Sequence, residues 1–178
     1  DVYKRQIPGQ VRGRIDETAQ MALRLDAAMA EVSLPNGQRG DDFARAERSA
    51  WEETGEAYRP ALLADVPLIP AHTALLATTV YHGANPPGIV ELVPSESPRP
   101  AGWGAALVIV DGLIAQAVDD GICQRFSHVP GMQELLLRAV SYRRHINGLH
   151  PTSRSNTRSH IERVEQHLVS QASAILER

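Results

Sequence analysis

Lysine is all but missing from this chain. Of its 18 basic residues, 17 are arginine, and the one lysine, Lys4, lies in the opening "DVYKRQ". Surface physics does not favour such exclusion, since either cation serves on an ordinary solvated face. Coding in a GC-rich genome does favour it, and the chain reads as bacterial. Cysteine is nearly absent too. With Cys123 alone no internal disulfide can form, which excludes a disulfide-stapled secreted fold and fits a reducing cytoplasm. Aromatic residues make up 4% of the chain and no run of 18 apolar residues occurs, so no membrane-spanning helix is expected. The net charge of −3 gives no overall pull toward nucleic acid or anionic lipid. A glycine-rich phosphate loop, a nucleophile elbow, an HExxH pair and paired cysteines are also absent, so neither cofactor nor metal is expected. The histidines do not supply a local ligand set. His160 and His167 would stand about 10 Å apart along a helix, too far for one ion.

A length of 178 residues with 43% hydrophobic and 22% charged content describes one globular domain with a sizeable core. The lysine-bearing residues 1–6 resemble the translation of a transposon-end adapter used in sequencing libraries. They are expected to be read-through, with a single helical domain over 7–178 whose native start is missing.

Hydrophobic spacing then defines the elements. Ile15, Thr18, Ala22, Leu25, Met29 and Val32 recur at three and four residues, which predicts an amphipathic helix over 10–32. Asp41 or Asp42 is placed to cap a second helix carrying Phe43, Ala46, Ala50 and Trp51, bracketed by breakers at Gly55 and Pro60. "AHTALLATTVYHG" reads as a helix from Pro70 to about His82, stopped by Gly83. Residues 88–93 are the best strand candidate, an extended edge, and 94–101 form a Pro/Ser-rich connection. "GWGAALVIVDGLIAQAV" reads as a central buried helix, with a strand ending at Asp111 as the alternative. A helix from Pro130 is expected to end at Asn147-Gly148. The last, Ser159 to Leu176, matches a capping box through Ser159 and Glu162. The sum is an all-α, bundle-like domain of about six helices.

Charge is unevenly distributed. Residues 41–65 hold seven acids against three arginines, a local −4 that suggests a solvated face. Residues 138–163 hold six arginines and one acid, a local +5. Arginine forks suit phosphate, so Arg143, Arg144, Arg154 and Arg158 are candidate contacts for nucleic acid or another polyanion. The alternative is an interaction or assembly module, including a homo-oligomer, in which the basic segment pairs with the acidic one. Two local similarities lie in the same region. Arg138 and His145, with six residues between them, resemble the Arg-x(4–6)-His pattern of HEPN-type helical ribonucleases. That resemblance implies acid–base and phosphate-stabilising roles for the two, although Ala139 stands where that family prefers a polar residue. "SRSNTRSHIERVEQHL" is similar to the recognition helix of LuxR-type regulators. It lacks the Val expected between Thr157 and Arg158, which turns the following side chains by about 100°.

Overall fold

The computed structural model describes residues 13–31, 42–57, 63–149 and 155–176. The adapter-like residues 1–6, Val32 and Arg154 lie outside them. The domain is mainly helical, with seven helices and two small antiparallel strand pairs among the described residues.

The apolar stripe of the first helix, α1 (Ile15–Met29), does what its spacing implies: Ile15, Thr18, Ala22 and Met29 are buried. It packs along α4 (Trp103–Ile114), the centre of the domain, in which every residue is buried. Close approach depends on missing side chains. A Cβ on Gly112 would stand 2.7 Å from Ile15 Cγ2 and 3.1 Å from its Cγ1. Asp111 therefore lies in a buried helix and ends no strand. Its carboxylate takes a two-pronged bond from Arg143 on α6 (Met132–Leu149), with both distances 2.7 Å. The helices α2 (Asp42–Ala57) and α7 (Ser155–Leu176) pack on the flanks of α6. Gly55 does not stop α2, which continues to Ala57.

A net of aromatic rings closes the α2–α4–α6 contact. Trp103 stands edge-on to Trp51 at 5.0 Å and to Tyr142 at 5.6 Å. The guanidinium of Arg99 lies 4.2 Å over the Trp51 ring, with that of Arg138 at 5.8 Å. Trp103 Nε1 and Arg99 Nε have no hydrogen-bond acceptor among the described residues, and the Trp51 ring, under the Arg99 guanidinium and T-shaped to Trp103, packs against both side chains.

Four local expectations need correction. The stretch 70–82 is helical only in α3 (Leu75–Thr78). Around it, β1 (Leu68–Ile69) pairs with β4 (Arg99–Pro100), and β2 (Thr79–Val80) pairs with β3 (Gly88–Ile89). With the His72–Pro94 bridge and the bonds Thr73 N–H to Val93 O and Val90 N–H to Thr78 O, these make one irregular antiparallel ribbon. The hydroxyls of Thr78 and Thr79 bond back to carbonyls of the preceding turn, and β-branched residues favour the extended exit. The "linker" 94–101 is the return half of this ribbon, with Ser95, Arg99 and Pro100 buried. Asn147-Gly148 lies within α6, which runs on to Leu149 while packing against α7. Ser159 is not a cap, because α7 begins one turn earlier at Ser155.

Candidate interaction surface

Most arginines of the basic segment are committed inside the domain. Arg138 is buried beside Glu134, one turn back on α6, at 3.2 Å. Arg143 holds Asp111, and its side chain is 11% exposed, so its fork is already filled. Arg144 is half-exposed and paired with Glu165 of α7. Arg163 donates to the carbonyl of Leu113 at 2.8 Å, with Asp120 at 3.8 Å. Arg158, read as a loop residue, stands in the first turn of α7, exposed and without a partner among the described residues. Arg154 lies outside them. The structure thus brings Arg143 and Arg144 together on α6 but turns one into the core.

The acidic segment does meet the basic one, because α2 packs on α6 within the chain. Among the described residues the approach to an acidic side chain is made by histidine: His145 lies 3.1 Å from Ser49 Oγ and 3.8 Å from Glu53, while Arg138 lies over the Trp51 ring. Glu47, expected in a solvated face, is fully buried against Arg99 at 2.6 Å. Arg138 and His145 face different surroundings, Trp51 and Glu134 for the first and Ser49 and Glu53 for the second. Among the described residues no three His, Cys, Asp or Glu side chains converge to hold a metal ion. No helix among them is long and apolar enough to cross a membrane.

The surface that stands out is the ribbon. Six large hydrophobic side chains are exposed among the described residues, and four of them, Leu68, Val80, Val90 and Leu92, lie on it. Val90 and Leu92 follow directly on β3, and Val90 is 68% exposed. Among the described residues each strand is paired on one side only, since both sheets are two-stranded.

The ribbon is held from three directions. At its tip, Arg14 donates to the carbonyls of Gly83 (3.0 Å) and Asn85 (2.5 Å) and lies over the Tyr81 ring. Tyr81 is also hydrogen-bonded to Thr18 of α1 at 2.6 Å. In its middle, buried His72 accepts the Ala74 N–H on Nδ1 and donates from Nε2 to the Glu91 carbonyl, at 3.2 and 2.9 Å. Burial pushes the pKa of that imidazole down, because the charged form loses hydration. Near its base, Arg99 reaches Glu47, whose other oxygen lies 3.4 Å from the Glu96 N–H.

Sequence reasoning found the extended edge at 88–93 but not its partner strand or its apolar outer residues. The available signal was the run Ile89, Val90, Leu92, Val93, too apolar for a solvated linker. No family model, curated protein or solved structure matches the chain.

Proposed function

We propose that this chain is a protein-assembly module that joins a second copy of itself through the ribbon. The observation that carries the reading is the concentration of exposed Leu68, Val80, Val90 and Leu92 on one ribbon, the first two in β1 and β2 and the others just past β3, where the strands are paired on one side only among the described residues. Exposed apolar side chains gathered beside open strand edges favour association. Two identical edges can pair antiparallel about a two-fold axis, so the surface is complementary to itself. A cytoplasmic setting fits the single buried thiol.

Sedimentation velocity tests the proposal at about 100 µM, where even modest interfaces are populated. The wild-type chain is expected as a dimer, and the double variant Val90→Glu/Leu92→Glu as a folded monomer. A wild-type monomer at that concentration overturns the reading.

A second reading, a polyanion partner, is favoured by one observation: exposed Arg158, unpaired among the described residues, lies on the helix packed against the one that carries half-exposed Arg144. Binding to DNA or RNA at low salt that weakens steeply with added salt supports it. No binding at low salt removes it.

A further inference from the structure

Away from the ribbon, a cavity of about 350 Å³ opens between α1 and the turn after α5 (Ile122–Arg125). One wall is a face of α1, where Asp16, Gln20, Leu23 and Arg24 follow at helical spacing. Arg125, Phe126 and His128 form the other wall.

Arg125 is a strut across this cavity. Its Nε and Nη2 donate to Asp16 at 2.6 and 3.0 Å, and its Nη1 donates to Asp119 at 3.0 Å. Both carboxylates are thereby occupied, and the guanidinium is fixed in place. The apolar part is built by Leu23 and by Phe126, whose buried ring stacks with His128 at 6.2 Å and 26°. His128 Nδ1 lies 3.1 Å from the Arg125 carbonyl, a bond that places the proton on Nδ1 and leaves Nε2 for another group. Arg24, by contrast, is exposed and has no partner among the described residues. The cavity therefore combines one uncommitted guanidinium, one amide, one imidazole nitrogen and a stacked aromatic wall.

We infer that this cavity binds a small planar anion, its carboxylate or phosphate head on Arg24 and its apolar body against Leu23 and the Phe126–His128 stack. A guanidinium fork matches either head, and the volume is at the small end of ligand sites. The four charges Asp16, Asp119, Arg24 and Arg125 cancel. Recognition therefore depends on the direct fork and not on long-range steering by net charge.

The full chain, titrated with benzoate, phenyl phosphate and the neutral control benzamide, tests this by NMR of the Gln20, Arg24 and His128 side chains. Benzoate or phenyl phosphate is expected to shift these signals, and the tighter of the two identifies the head group. Benzamide, or either anion with Arg24→Gln, is expected to bind about tenfold more weakly, the scale of one charge-assisted contact. Arg24 is exposed, so the variant should fold, and circular dichroism checks that it does. Arg24→Lys, which keeps the charge but loses the fork, is expected to fall between, and Arg158→Gln to match wild type. Absence of any shift, or equal binding by Arg24→Gln or by benzamide, overturns the inference.

Discussion

Asp26 is the sharpest place to test how this fold handles charge. Its carboxylate, partly withdrawn from water, accepts the Gly102 N–H at 2.7 Å, where the chain enters α4 with a left-handed φ of 92°. Burial pushes its pKa from 3.8 up to about 6, and the Gly102 bond offsets only part of that. The folded state therefore holds a proton more tightly than the unfolded chain. Between pH 7 and 4 this group adds stability as the pH falls, and above pH 6 it costs stability. A rise of about two pH units corresponds to about 3 kcal/mol at 1.36 kcal/mol each. Because the group keeps some solvent contact, about half of that, roughly 1.5 kcal/mol, is a sounder expectation. Asp26→Asn removes the charge and keeps an acceptor for Gly102. At pH 7 the variant should melt about 3–6 °C above wild type, given 2–4 °C per kcal/mol for a chain of this size. Near pH 3, where wild-type Asp26 is itself neutral, the gap should close. Scanning calorimetry of both proteins across that range reads it directly. A gap that does not shrink with acidification would refute the reasoning, whatever its size at pH 7.

Four further outcomes follow from the packing. Glu47→Ala should destabilise by about 3–5 kcal/mol in chemical denaturation, because Arg99 would be left buried and uncompensated; replacing both partners with apolar residues should cost clearly less. Gly112→Ala should lose about 1–3 kcal/mol despite alanine's better helix propensity, since the added methyl meets buried Ile15, and an unchanged melting temperature would contradict the α1–α4 contact. His72, with its depressed pKa, contributes stability above the unfolded value near 6.5 that is lost as the pH falls below it, so His72→Gln should flatten the acid limb of the stability profile. Cys123, buried and pushed up to about 11, should react with iodoacetamide at pH 8 far more slowly than free cysteine, with full reactivity appearing on unfolding.

Periodicity made the long helices legible. Ile15, Thr18, Ala22 and Met29 announced the α1 stripe, and the apolar run from Trp103 announced α4, because both signals are local. The ribbon was hidden because its cause is not local. "ALLATTV" suits a helix until residues 88–95 supply the opposing strand. The same limit applies to charge. Counting arginines over 138–163 suggested an open basic face, but the partners of Arg143 and Arg163 lie 32 and 50 residues away, on or beside α4. One hint was available: Glu47 shares a helical stripe with Ala50, Trp51 and Thr54, an odd place for an acid unless a cation waits inside. The cavity beside Arg24 gave no sequence sign at all, since its two walls are about 100 residues apart in the chain.

The clasp of Arg14 and Tyr81 at one end of the ribbon, and the buried Glu47–Arg99 pair at the other, bear on rates as well as stability. An extended segment tethered only by its ends would have to surrender its freedom on every encounter, and much of the gain from apolar contact would be lost in that ordering. In the proposed pairing the shape exists before the second copy arrives. Docking should then proceed as a nearly rigid encounter, with differences among ribbon variants expressed in how long the pair stays together and not in how fast it forms.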